Sequence, residues 1–294
     1  MRERLHGIFP PIPTPFDAAT GEVDRPAIAA NVKRWMTTRL SGILALGSNG
    51  EAALLDEDEG DVVVATVREA MPRDRLLLVG TGRESTRATI DASVRAAALG
   101  ADAVLVRTPS FFKGQMTTDA LLAHFRAVAD ASPVPVLLYN LPGVTGITLT
   151  MPVVAPLSEH PNIVGMKETS PELERLGQFA ALSPSFRVLC GWAPVVQAAL
   201  TMGASGAILA VANVLPDKCV ELFDHVAAGR HAAALALQRK LTPIAQLVTT
   251  GYGIAGLKMA MELQGFSGGV VRAPLLAAPQ KARAEIEAAL HAVR

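Results

Sequence analysis

Excess charge of either sign is missing from this chain: Lys+Arg and Asp+Glu number 27 each. With no basic surplus and no acidic tail, no nucleic-acid partner is expected. Cysteine is scarce. Cys190 and Cys219 both lie in apolar contexts, so buried free thiols in a reduced compartment are expected rather than a disulfide. Nothing in the sequence is apolar over a run long enough to span a membrane. The opening MRERLHGIFPPIPTPF carries no signal-peptide pattern, and the expectation is a cytoplasmic protein without membrane association. His6, His124, His160, His225, His231 and His291 show no ligand spacing, so no metal site is expected. What the chain does have is apolar bulk. Half of it is hydrophobic and 18% is charged, which excludes disorder and allows a sizeable core.

Short apolar runs recur at 7–13, 42–47, 76–80, 103–107, 136–140, 163–167, 187–191 and 206–210. Each is continuous rather than alternating and bounded by Gly, Pro or Asn. That is the pattern of parallel strands covered on both faces. Helix signals fill the gaps. Asp24 precedes Arg25-Pro26, Glu84-Ser85-Thr86 precedes a stretch ending at Gly100, and Thr117-Thr118-Asp119 starts a third. Met71-Pro72 and Ser132-Pro133 stop helices. The acidic run 56–59 reads as the solvated first turn of another.

Eight such units predict an α/β fold, a closed (β/α)8 TIM barrel over residues 1–224, with a C-terminal helical extension over 225–294. An open doubly wound sheet would carry a glycine-rich phosphate loop after its first strand. Pro13-Thr14-Pro15-Phe16 stands there instead.

In such barrels the chemistry sits at the C-terminal ends of the strands. The second run ends in Gly47-Ser48-Asn49-Gly50-Glu51, a turn whose amides and side-chain donors suit a small carboxylate, with Glu51 expected to open the next helix. The same tetrapeptide is also ordinary turn chemistry. The fifth run ends in Tyr139, one of two tyrosines, placed to relay protons or to anchor the barrel mouth. The sixth ends in Lys167. An ammonium on a buried strand is costly without a partner, and a lysine deprived of water is a candidate amine nucleophile that forms Schiff bases with ketones. Strands five and six are barrel neighbours. A carboxylate cradle at Ser48 and Asn49, a phenol and a buried amine at one rim fit Schiff-base chemistry on a 2-keto acid, which needs no metal or organic cofactor.

Gly47–Glu51, Tyr139-Asn140-Leu141-Pro142 and Gly165-Met166-Lys167-Glu168 together resemble the dihydrodipicolinate synthase/N-acetylneuraminate lyase superfamily of class I pyruvate aldolases, over about residues 7–274. Within it, stretches such as 75–89, 160–167 and Gly256-Leu257-Lys258 are most similar to the 4-hydroxy-2-oxoglutarate aldolases. The resemblance implies Lys167 as the Schiff-base lysine, Tyr139 as general acid/base, and Ser48 and Asn49 as the pyruvoyl-carboxylate site. It also implies Thr169, Gly191 and Ile208 around the substrate, and a homotetramer built as a dimer of dimers. The small-molecule partners it implies are pyruvate and an aldehyde.

The departures from the family pattern fall at the acceptor end. Val144 stands where synthases carry an arginine for the semialdehyde carboxylate, and an apolar side chain forms no ion pair. Glu57 and Gly60 occupy the positions of the synthases' lysine-site histidines. Phe111 replaces a tyrosine that many members donate across a dimer interface, leaving the hydroxyl relay to water or Ser48. Trp192 either narrows the acceptor pocket or packs against the C-terminal helices. The leading expectation is an aldolase cleaving 4-hydroxy-2-oxoglutarate to pyruvate and glyoxylate. A dihydrodipicolinate synthase, and a non-catalytic keto-acid-binding protein motivated by Phe111, are the alternatives.

Overall fold

The computed structural model describes residues 1–293. Its eight strands are β1 (Gly7–Phe9), β2 (Gly42–Ala45), β3 (Leu76–Gly80), β4 (Ala103–Arg107), β5 (Val136–Asn140), β6 (Ile163–Glu168), β7 (Arg187–Cys190) and β8 (Gly206–Ile208). All pair in parallel in the order β1-β8-β7-β6-β5-β4-β3-β2. The ring closes between β1 and β2 by backbone bonds: Ser41 N–H to Ile8 O (3.0 Å), Leu44 N–H to Pro10 O (3.0 Å) and Ile12 N–H to Leu44 O (2.9 Å). This is the expected (β/α)8 barrel. Apart from Arg107 in β4 and Arg187 in β7, every strand residue is buried, because the inner face fills the barrel and the outer face meets helices. Leu44, Leu78, Leu105, Leu137 and Ile208 belong to the inner cluster. Ile43, Val79, Val104, Val106 and Leu138 join the outer one.

The helices are α1 (Arg25–Trp35), α2 (Glu57–Ala70), α3 (Thr86–Ala98), α4 (Thr118–Ala131), α5 (Pro142–Thr145), α6 (Met151–Ser158), α7 (Leu173–Ala180), α8 (Val196–Thr201) and α9 (Pro216–Ala227). The expected signals start three of them. Asp24, Ser85 and Thr117 accept the amides of Ala27, Ala88 and Ala120. Asp56 and Glu59 form a reciprocal capping box on α2. The acidic run is not simply solvated: Glu59 is held by both terminal nitrogens of Arg272, at 2.6 Å each, from the far end of the chain. That bond holds the Glu59 carboxyl below the usual carboxylate range.

The helices α10 (His231–Gln246), α11 (Gly253–Leu263) and α12 (Gln280–His291) follow. The expected division between residues 224 and 225 falls inside α9. A π-helical turn, Leu247–Gly251, joins α10 to α11, and it sits over the mouth of the barrel. Cys190 and Cys219 are buried free thiols, and burial pushes both up to about 12. Among the described residues no helix is long and apolar enough to cross a membrane.

Candidate active site

β5 and β6 would bring Tyr139 opposite Met166 if they paired evenly. They do not. The register runs Val136↔Ile163 and then Leu137↔Gly165, so β6 carries one extra residue. That bulge sets Tyr139 beside Lys167 and Asn140 beside Glu168. The second pair locks the first in place. Asn140 Nδ2 donates to Glu168 Oε2 (2.7 Å), and the Thr169 amide donates to Asn140 O (2.9 Å).

Lys167 is 4% exposed. Its Nζ donates to the Tyr139 hydroxyl at 3.1 Å and lies 4.4 Å from that ring's centroid. The Tyr139 and Ser48 hydroxyls are 3.0 Å apart, and either can donate. A continuous path of amine, phenol and hydroxyl therefore links the ends of β6, β5 and β2. Such a path carries a proton from the buried amine out to the exposed Ser48.

A cavity of about 250 Å³ opens onto the amine. It brings together Lys167, Tyr139, Ser48, Asn49, Thr169, Gly191 and Ile208, all expected from sequence, with Val144 and Trp192 at its outer end. Thr169 Oγ1 is buried with no protein partner, which leaves a hydroxyl for whatever enters. Phe111, the remaining acceptor-pocket expectation, does not line this cavity. Glu84 accepts the amides of Ser110 (2.8 Å) and Phe111 (2.9 Å), and the loop they fix leaves the Phe111 ring 78% exposed. Trp192 is half-buried, lining the cavity and packing against the outer core.

Glu51 corrects another expectation. It opens no helix, because α2 begins only at Glu57. It sits in the left-handed region, φ 55°, between two single 3-10 turns. Its carboxylate lies 2.6 Å from Lys258 Nζ and accepts the Arg272 amide at 2.8 Å. Lys258 also donates to Thr14 O (2.8 Å), and Thr14 Oγ1 donates to Gly50 O (2.7 Å). Burial pushes the Lys258 ammonium below its ordinary pKa, against the pull of Glu51. The Ser48-Asn49 turn is thus braced from the C-terminal helices. Those helices and the turn between them also supply the cavity wall through Val248, Thr249, Gly253 and Ile254, residues that no motif ties to the site. Arg107 was missed as well, although it ends an apolar run as Lys167 does. It lines a second cavity of about 140 Å³ next to the first.

The model of the dihydrodipicolinate synthetase family matches residues 4–293. A protein of Emericella nidulans named "Probable 4-hydroxy-2-oxoglutarate aldolase, mitochondrial" is 35% identical, covering 98% of this chain and 94% of that protein. The 4-hydroxy-tetrahydrodipicolinate synthase of Rhizobium meliloti is also 35% identical, covering 97% of each. The crystal structure of YagE, a prophage protein of the dihydrodipicolinic acid synthase family from E. coli K12 in complex with pyruvate, superposes with a TM-score of 0.91 at 30% identity and 98% coverage of both chains.

Proposed function

This chain belongs to the dihydrodipicolinate synthetase family of pyruvate-dependent lyases, and on that premise we propose that it is a class I aldolase cleaving 4-hydroxy-2-oxoglutarate to pyruvate and glyoxylate. The observation that carries this reading is the Lys167–Tyr139–Ser48 path, with bonds of 3.1 and 3.0 Å, at the floor of a cavity. Lys167 adds to the C2 ketone. Tyr139 passes a proton to the departing hydroxyl, and water leaves to give the imine. The substrate carboxylate docks at Ser48 and Asn49. Loss of the C4 hydroxyl proton breaks the C3–C4 bond and releases glyoxylate. The bond's electron pair moves into the imine, giving an enamine. Protonation at C3 and addition of water then return pyruvate and the free amine. With Phe111 offering no phenol, the relay ends at the Ser48 hydroxyl, 3.0 Å from that of Tyr139. The chemistry uses substrate and lysine alone. The expectation of a homotetramer rests on the family resemblance.

The test is pyruvate release from 4-hydroxy-2-oxoglutarate, followed with a coupled dehydrogenase, beside borohydride trapping with pyruvate. Release together with an adduct on Lys167 is expected. An adduct without release, but with condensation of aspartate semialdehyde, turns the assignment to a synthase. That second reading is favoured by the Rhizobium meliloti relative and opposed by Val144. No adduct at all returns the protein to a keto-acid-binding role.

Gly191 gives a narrower check on the same site. A Cβ there would collide with Thr169 Oγ1 and come within 2.9 Å of Lys167 Cε. Gly191→Ala is therefore expected to lower kcat/KM roughly 10- to 100-fold by overpacking beside the amine, with the melting temperature nearly unchanged. Wild-type kinetics in that variant would mean that Thr169 and Lys167 give way to the added methyl group without loss.

A further inference from the structure

Across the rim, Arg107, Tyr139 and Lys167 stand at the ends of three successive strands. Arg107 is in register with Tyr139, and Tyr139 with Lys167. The second cavity, of about 140 Å³, shares Ser48, Tyr139, Leu141 and Val144 with the lysine cavity. A molecule anchored on Lys167 therefore has its far end open to it. Arg83 and Arg107 are the only charged residues in its wall among the described residues. The acids that hold them, Glu57 and Glu84, lie outside that wall. Arg83 gives Nε and Nη2 to Glu57 at 2.9 and 3.1 Å. Arg107 gives only Nη1, to Glu84 (2.8 Å) and to Thr108 O (3.0 Å), which leaves Nε and Nη2 without a protein partner.

The guanidinium is firmly mounted. The Arg107 backbone and stem lie across Gly82, where a Cβ would come within 2.6 Å of Arg107 N and 2.7 Å of its Cγ. Burial opposes ionisation of Glu84, but the Ser110 and Phe111 amides and Arg107 hold it at about 2. It is thus a permanent anion that orients Arg107. Neighbouring strands lie about 4.8 Å apart. Two such intervals suit a five-carbon chain bound at one end to an amine and at the other to a guanidinium.

We propose that this second cavity is the subsite for a second carboxylate at the aldehyde end of the substrate, with Arg107 as its principal partner and Arg83 as the next. The protein then selects 2-keto acids that end in a carboxylate over those with an apolar or aromatic tail. The cation that Val144 does not provide comes from the end of the neighbouring strand β4, across the same cavity. This inference rests on the lysine-imine reading of the site and deepens it by naming the residues that select for a distal carboxylate.

Calorimetric titration with 2-oxoglutarate and with 2-oxopentanoate tests it. The two have the same carbon count, and neither carries a 4-hydroxyl, so no bond is cleaved. The parent is expected to bind 2-oxoglutarate about 10- to 100-fold more tightly, as a charge-assisted arginine–carboxylate contact implies. Arg107→Met is expected to bring that ratio close to one, and Arg107→Lys to keep part of it. Both comparisons are ratios within one folded protein, so a general loss of stability does not mimic them. A parent with no preference, or a preference that survives in Arg107→Met, overturns the inference. Borohydride trapping with pyruvate separates the two levels. No adduct means that the imine reading has failed. An adduct without a distal-charge preference means that only the subsite has failed.

Discussion

Lys167→Ala is expected to bring pyruvate release down to the enzyme-free rate, a loss of roughly 10⁴-fold or more, while the fold survives. The loss is this large because no other group at the site can take over the electron-sink role. Tyr139 and Ser48 can move protons, and Thr169 can donate a hydrogen bond, but none forms an imine with a ketone. The survival of the fold follows from what Lys167 touches. Its Nζ has one protein partner, the Tyr139 hydroxyl, which keeps Ser48 when the amine is gone. The space left behind joins a cavity that already opens to solvent, so no sealed void forms. A lysine that is 4% exposed and whose nitrogen makes a single protein hydrogen bond is itself costly to hold there. Its removal is expected to shift stability by no more than about 1 kcal/mol, in either direction. Coupled kinetics and a circular-dichroism melt on the same sample check both halves. Turnover in the variant above a small fraction of the parent's would end the Schiff-base assignment. If Ala lowers the melt, Lys167→Met, which keeps the stem's volume, serves as the second blank.

The barrel and the amine were legible in sequence for one reason: each depends on local pattern. Continuous apolar runs mark strands that are covered on both faces, and each of the eight runs falls on one, β6 extending one residue past its run to Glu168. Asp24, Ser85 and Thr117 cap their helices through amides three residues away, an interaction that short-range reading captures. The contents of the site failed to show wherever the partner lies far along the chain. Glu51 read as a helix opener because its neighbours are turn residues, whereas its bonds go to Lys258 and Arg272, more than 200 residues away. Glu59 read as solvated because Arg272 is equally distant. Val248, Thr249, Gly253 and Ile254 reach the cavity only because α10 and α11 fold back over the mouth. The β6 bulge is a further case. Gly165 inside an apolar run is the one local sign of an extra residue, and the register of the two central side chains depends on it.

The brace behind the cradle yields the second large effect. Lys258→Met is expected to cost about 3–5 kcal/mol of stability, because it leaves the Glu51 carboxylate buried and uncompensated. The side chains of the pair are 2% and 0% exposed, so water cannot replace the lost ammonium. The same substitution also leaves Thr14 O and Val270 O without their donor, which adds to the penalty. Two non-glycine residues with positive φ, Leu46 (53°) and Glu51 (55°), bracket the Ser48-Asn49 turn. Conformations of that kind persist only where surrounding contacts over-determine them. Releasing Glu51 should therefore loosen the cradle as well as the fold, and pyruvate affinity should fall in the fraction that stays folded. A urea titration gives the first quantity and calorimetry with pyruvate below the transition gives the second. The double change Glu51→Gln with Lys258→Met removes both charges. It is expected to recover part of the lost stability, because the desolvated anion is gone, but not the affinity, because the turn is still unbraced. A Lys258→Met variant as stable as the parent would mean that the pair is a bystander and that the turn holds its own shape.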